Sequence, residues 1–179
     1  NHDDLIEIAV DGEIVYQSQI ENSSDQKVEE LDQKLKAMDI YQLLELLEAD
    51  FSKKHLQLLK DGLKLNSAIA RAGREGIGAG VGEKYRKRSD FSKINEIAAE
   101  AADGTGARMA GAASPALASS GSGNQGIFIS LVTYYSAHHY FEELSEVEIF
   151  KATMLAHLVG HYAKIYVGRL SALCGLFYA

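Results

Sequence analysis

Two patterns of apolar residues divide the chain. Before Gln17, apolar and polar positions alternate around the pair Asp11-Gly12, which predicts two strands joined by a tight turn. From Ser23 onward, apolar residues recur every three or four positions, as is typical of helices that bury one face. We therefore expect a mainly α (α+β) fold, with a β-hairpin in residues 1–22 and a helical domain in residues 23–179.

Polar residues that favour helix starts precede several of the apolar stripes. Ser23 with Gln26 and Ser145 with Glu148 have the spacing of a capping box, and the helix from Ser145 towards Tyr166 is expected to be the longest. Further helix starts are expected at Asp39, Ser52 and Asp90. The apolar run 127–132 predicts a buried helix directly after a polar loop.

The ends of the chain suggest that a further segment completes the fold. A hairpin by itself is only marginally stable in water, so it should add to a sheet supplied elsewhere. The chain begins with Asn1 and ends on the apolar stretch Cys174–Ala179. We expect a missing-segment partner or a homo-oligomer.

Charge and composition restrict the class of protein. The chain has 179 residues, 46% of them hydrophobic, and a net charge of −7, which argues against nucleic acids or anionic membranes as partners. Apolar runs stop well before the roughly 20 residues of a membrane span. The single cysteine, Cys174, cannot form an internal disulfide and suits a reducing compartment. The cytoplasm is the expected location.

The polar loop Ser119–Gly126 holds three serines, three glycines and two amides between apolar runs. Glycines allow a ligand to approach the backbone, and the N–H groups at the start of the following helix would attract a carboxylate or phosphate. A flexible linker is the alternative, but Asn124 and Gln125 place specific hydrogen-bonding groups against the helix start. Arg108 could pair with a bound carboxylate or form a structural ion pair.

Three ionisable residues lie on one side of the last predicted helix. His157, His161 and Lys164 are spaced at i, i+4 and i+7. Two histidines four residues apart can share a metal, but Leu158 stands where a zinc protease has its glutamate. Histidines at the edge of the core are the alternative. If Lys164 is partly buried, it could act as a base or hold an anion.

Other polar features are interpreted as structural. The glycines of residues 73–82 follow a predicted helix rather than a strand, so they do not form a dinucleotide motif. The basic run Lys84–Arg88 is interpreted as a solvated face. His55 and the pair His138-His139 are expected at the surface.

Three segments carry a resemblance to a known family. Residues Ala107–Gly111, Ser120–Gly126 and Lys164–Gly175 resemble the serine dehydratase alpha-chain family, nearest to the branch that contains L-cysteine desulfidase. The resemblance covers nearly the whole chain in order, from the hairpin to Cys174, and is incomplete at both ends.

The resemblance implies a lyase that removes ammonia and a β-substituent from a small amino acid such as L-serine or L-cysteine and leaves pyruvate. Complete members hold a four-iron, four-sulfur cluster with three cysteines. The residues that it places around the substrate are Ser120, Gly121, Ser122, Gly123, Asn124, Gln125, Arg108 and Arg169. His157, Lys164 and Ser171 are the implied catalytic residues. Cys174 is the candidate metal ligand in this chain, but by position the cluster ligand of the family looks like the second cysteine, which is Leu176 here.

The departures from the family pattern are equally specific. Relatives have Cys-Gly-Cys where this chain has Cys174-Gly175-Leu176, so no cluster is expected in this chain. Thr105-Gly106 replaces a Ser-Asp pair, Ser119 replaces an asparagine, and His161 replaces an apolar residue. Three hypotheses follow: a fragment or divergent member of this lyase family, an inactive remnant that binds small carboxylates, and a metallohydrolase that uses His157 and His161.

Overall fold

A computed structural model describes residues 7–17, 23–88, 90 and 92–167. The chain forms two units, Asn1–Ala37 and Met38–Ala179. The predicted domain boundary between residues 22 and 23 stays a prediction.

The first unit contains the predicted hairpin and one helix. Strands β1 (Glu7–Val10) and β2 (Glu13–Gln17) pair antiparallel, with a register shift between Ile8 and Ala9. Asp11 and Gly12 both have positive φ angles, 53° and 87°, as a two-residue hairpin turn requires. Helix α1 (Ser23–Lys36) follows. Together with the six helices that the structure describes in the second unit, the hairpin confirms the predicted mainly α fold.

The second unit is helical. Its helices are α2 (Ile40–Asp50), α3 (Lys53–Arg74), α4 (Val81–Arg86), α5 (Lys93–Met109), α6 (Gly123–Tyr140) and α7 (Glu146–Ile165). Helix α5 packs against α3, α4 and α6, while α7 packs against α2, α3 and α6. The core is a cluster of fully buried side chains contributed by α3, α5 and α6: Ile69, Ala70, Ala107, Ile127 and Leu131.

The helix starts follow local sequence closely. Asp39, Ser52 and Ser145 cap α2, α3 and α7, each with a complete capping box. In the second of these boxes the ring of His55 accepts from the backbone N–H of Ser52, so this histidine serves as a cap. Helix α5 is capped by Ser92, two residues beyond the expected start. With 22 residues, α3 exceeds the 20 of α7, which the sequence indicated as the longest.

A glycine, Gly82, lets α4 and α5 approach closely. A Cβ atom on Gly82 would lie 2.0 Å from Oδ1 of the buried Asp103. Arg86, one turn further along α4, donates to Asp103 Oδ2 at 2.7 Å and also reaches Glu100. The expectation that residues 84–88 form a solvated face is therefore wrong for Arg86, because its guanidinium neutralises a buried carboxylate.

Within the described residues, none of the helices is long and apolar enough to cross a membrane.

Candidate functional site

The polar loop before α6 forms a tight turn. Ser119 and Ser122 exchange two backbone hydrogen bonds, of 3.0 and 2.8 Å. The two residues between them, Ser120 and Gly121, have φ angles of 49° and 75°. Gly121 adopts such angles without strain, whereas a serine in this region is held there at a cost of about 1–3 kcal/mol. This turn, residues 119–122, is hereafter called the serine turn.

The serine turn leads directly into α6. Ser122 caps the helix, and its Oγ accepts from the backbone N–H of Gln125 at 3.2 Å. A Cβ atom on Gly126 would lie 2.0 Å from the carbonyl oxygen of Leu117, so only glycine fits there. The predicted buried helix after the polar loop is confirmed, since Gly123–Ile127 are all buried.

Two side chains from α7 contact the serine turn. Lys164, 4% exposed, donates from Nζ to the carbonyl oxygen of Ser120 at 2.6 Å. His161 Nδ1 lies 2.7 Å from the hydroxyl oxygen of the same serine. The amine of a buried lysine thus lies beside the turn at the positive end of α6, a position that would favour a negatively charged ligand.

Gln125, the third residue of α6, carries an unsatisfied amide. Its side chain is fully buried, and neither Oε1 nor Nε2 has a hydrogen-bond partner in the part of the chain that the structure describes. Each unpaired buried polar group costs about 1–3 kcal/mol. A ligand that accepts from Nε2 and donates to Oε1 would remove this cost.

Asn124 and Arg108 contact each other beside the helix start. Arg108, on α5, donates from its guanidinium to Asn124 Oδ1 at 3.1 Å. A Cβ atom on Gly123 would lie 2.3 Å from Arg108 Nε, so a glycine here makes room for the arginine. The sequence left two partners open for Arg108, a bound carboxylate or a structural ion pair. The partner that the structure shows is the amide of Asn124, and pairing with a bound carboxylate stays a prediction.

Asn66, on α3, ties the site to the core, although the sequence did not single it out. Its Nδ2 donates to the carbonyl of Gly126 at 3.1 Å and to Ser130 Oγ at 3.2 Å. Its Oδ1 accepts from the backbone N–H of Leu117 at 3.0 Å. A fully buried asparagine is unfavourable unless it is paired, and here all the described contacts of its amide lie on distant parts of the chain, so no local sequence signal identifies it.

His157 contacts a different serine from His161. Its Nε2 lies 3.3 Å from Ser130 Oγ, and burial lowers its pKa from 6.5 to about 4. Among the described residues, no three His, Cys, Asp or Glu side chains lie close enough together to hold a metal. The two histidines of the predicted stripe therefore serve two separate hydrogen-bond networks.

An apolar groove of about 400 Å³ opens beside Asn124, between α4, α5 and α6. Apolar and small side chains line most of it, including Val81, Tyr85, Ala102, Met109 and Phe128. Of the remaining predicted site residues, Arg169, Ser171 and Cys174 lie outside the described residues. The structure thus brings together Ser120, Ser122, Gln125 and Lys164, with the contact between Asn124 and Arg108 beside them.

Comparison with known proteins identifies the family. The model of the serine dehydratase alpha chain family matches residues 12–179. Because the match covers most of the chain, this chain belongs to that family, and the resemblance carried by residues 107–111, 120–126 and 164–175 is confirmed.

The curated relatives are longer bacterial proteins. A UPF0597 protein of Desulfatibacillum aliphaticivorans is 34% identical over 97% of this chain and 41% of its own length. UPF0597 proteins of Clostridium perfringens and Nautilia profundicola are also 34% identical, over 97% and 87% of this chain and 40% and 36% of their own lengths. The chain thus spans about two fifths of these relatives. No solved structure matches it.

Proposed function

We propose that this chain contributes the amino-acid-binding part of an α,β-eliminating lyase of the L-serine dehydratase and L-cysteine desulfidase type. Such an enzyme releases ammonia and a β-substituent from a small amino acid and leaves pyruvate. The observation that carries the proposal is the unsatisfied amide of Gln125, buried at the start of α6 beside a turn that Lys164 contacts. Family membership supports it.

The ligand's carboxylate would bind at the start of α6. The first N–H groups of a helix lack partners within the helix, and the helix dipole adds positive charge at that end. Here the Gln125 N–H already donates to Ser122 Oγ, so the backbone N–H groups of Gly123 and Asn124 remain for a ligand. Lys164 and Arg108 would add positive charge on two sides, with Arg169 as a further candidate.

Elimination also requires that a proton leave Cα of the substrate. Lys164 donates a hydrogen bond from Nζ to the carbonyl oxygen of Ser120, and in its protonated form it would stabilise the substrate carboxylate. His157 is neutral at physiological pH because burial lowers its pKa to about 4. We propose Lys164, His157 and Ser171 as the residues around the reacting atoms.

The iron–sulfur cluster of complete family members does not fit this chain by itself. The cluster needs three cysteine ligands, and the chain has one, Cys174. What the described residues supply is binding and orientation of a small amino acid.

Ligand titration tests the proposal. We expect L-serine and L-cysteine to shift the backbone amide resonances of residues 119–126 with millimolar dissociation constants, because a few charge-assisted hydrogen bonds are offset by desolvation. Asn124→Ala should weaken this binding. Glu143→Gln, an exposed change in the loop after α6, is the matched control and should leave it unchanged. Shifts confined to other parts of the chain would contradict the proposal.

An inactive carboxylate-binding remnant is the second candidate, favoured by Leu176 in place of the second cysteine of the family's Cys-Gly-Cys. Ammonia release from L-serine or L-cysteine by the full-length protein, assayed without oxygen, separates the two. The metallohydrolase hypothesis has less support, since His157 and His161 contact Ser130 and Ser120 respectively and do not converge on one point.

A further inference from the structure

The side-chain amide of Asn66 has a fixed orientation. Its Oδ1 faces the backbone N–H of Leu117 at 3.0 Å, and its Nδ2 faces the carbonyl oxygens of Gly126 at 3.1 Å and Leu117 at 3.3 Å. A backbone N–H can only donate and a carbonyl can only accept, so the reversed amide would oppose all three groups. Asn66 must therefore present N–H groups on its Nδ2 side.

That orientation directs the hydroxyl proton of Ser130. Asn66 Nδ2 lies 3.2 Å from Ser130 Oγ and can only donate to it. In the described residues, the other group within hydrogen-bond distance of this hydroxyl is His157 Nε2, at 3.3 Å. The serine has a single proton and cannot give it to an amide N–H, and if His157 Nε2 donated instead, that proton would have no partner among the described residues. The arrangement that pairs every group therefore directs the proton towards His157.

We propose that Asn66 and Ser130 hold His157 as a neutral imidazole that carries its proton on Nδ1. Asn66 is then a positioning residue that acts through Ser130 on a residue two helices away. Nε2 of His157 accepts the hydroxyl proton, and Nδ1 offers an N–H donor. The low pKa of this histidine, caused by burial, agrees with a neutral ring.

The consequence for His157 is a defined chemical role. An imidazole whose Nε2 accepts from a serine cannot take a substrate proton at that atom. The ring would instead donate from Nδ1, for example to a carboxylate or to a developing negative charge. This role differs from that of His161, whose Nδ1 contacts Ser120 beside Lys164.

Nitrogen NMR of the ring tests the tautomer directly. In the full chain labelled with ¹⁵N-histidine at neutral pH, two-bond proton–nitrogen spectra distinguish a protonated Nδ1 from a protonated Nε2. His157→Gln identifies the resonances of this residue. We expect the Nδ1–H pattern without ligand, so the result does not depend on whether an amino acid binds.

Two variants test the assigned relay. Ser130→Ala removes the proton donor, and we expect a shift towards the Nε2–H form that predominates for histidine in water. Asn66→Asp places an oxygen opposite Ser130, which should take the serine proton and turn Nε2 into a donor. Thr153→Val is the matched control, because it removes a buried hydroxyl on α7 that donates within its own helix, to the Ile149 carbonyl.

The tautomer of His157 in the unmodified chain and in Ser130→Ala decides between the outcomes. An Nε2–H or a positively charged ring in the unmodified chain would overturn it. An unchanged tautomer in Ser130→Ala would also overturn it, as would an equal change in Thr153→Val. If circular dichroism shows that Asn66→Asp does not fold, Ser130→Ala decides the outcome alone.

Discussion

Lys164 Nζ donates to the backbone carbonyl oxygen of Ser120 at 2.6 Å, joining the end of α7 to the serine turn. The accepting residue has a left-handed backbone, with a φ angle of 49°. A charged donor on that carbonyl stabilises a conformation that serine by itself disfavours. The contact therefore couples the position of α7 to the shape of the candidate binding loop.

We predict that Lys164→Met weakens binding of L-serine and L-cysteine by at least about tenfold, because a charge-assisted hydrogen bond contributes about 1.5–3 kcal/mol. The resonances of the serine turn should also shift in the variant without ligand. NMR titration measures both effects.

Lys151→Met is the control on the same helix. Lys151 pairs with the exposed Glu48 on α2, away from the serine turn, so its replacement should change neither binding nor the turn. Equal losses in both variants would mean that overall charge, and not the contact with Ser120, attracts the ligand.

Three glycine positions should respond differently to alanine. Gly126→Ala should destabilise the fold by about 1–3 kcal/mol or more, because the new Cβ would meet the Leu117 carbonyl oxygen at 2.0 Å. Gly123→Ala should cost less, since the atom it meets belongs to the exposed, flexible side chain of Arg108. Urea unfolding of each variant measures the differences.

Gly106→Ala is the reference for this series. Gly106 lies within α5, and a Cβ there meets nothing within 4 Å. Alanine should stabilise the helix by about 0.4–1 kcal/mol, because it restricts the unfolded chain. A Gly126→Ala protein as stable as Gly106→Ala would show that Leu117 and α6 are not packed as described.

Arg86 and its neighbour Lys87 should also differ. Arg86→Met should destabilise the second unit by about 3–5 kcal/mol, because it leaves the buried carboxylate of Asp103 without its partner. Lys87 pairs with the exposed Glu83, so Lys87→Met should cost less than about 1 kcal/mol. Thermal unfolding measures both, and similar midpoints would contradict the assignment.

The features that the sequence predicted are governed by local interactions. The Asp11-Gly12 turn and the caps at Asp39, Ser52 and Ser145 involve residues no more than three positions apart. The serine turn is also closed locally, by Ser119 and Ser122, although the sequence indicated only a polar loop at this position. Propensity and spacing are sufficient information for contacts of this kind.

The features that the sequence did not predict depend on tertiary packing. Asn66 contacts groups 51 to 64 positions away, and nothing in the spacing of α3 distinguishes it from the polar residues around it. The helical stripe placed His157 and His161 on one side of α7, yet their partners lie in different places, Ser130 within α6 and Ser120 in the turn before it. The sequence indicated a basic surface at Arg86, because its spacing gives no sign of the buried Asp103 that it contacts on α5.

The partly buried imidazole of His157 should make stability depend on pH. Burial lowers its pKa in the folded chain from 6.5 to about 4. Between these values the unfolded chain binds the proton and the folded chain does not, so stability is greatest above about pH 6.5 and falls as the pH decreases towards 4. The expected loss from pH 7 to pH 5 is about 2 kcal/mol.

Urea unfolding at a series of pH values measures this loss, and His157→Gln isolates it, because glutamine cannot take up a proton. The difference in unfolding free energy between the unmodified chain and His157→Gln should decrease with falling pH across this window. His139→Gln, a change at an exposed position in the last turn of α6, should leave the slope as it is. A constant difference between the unmodified chain and His157→Gln would mean that the folded chain binds the proton as readily as the unfolded one, and that His157 is accessible to water.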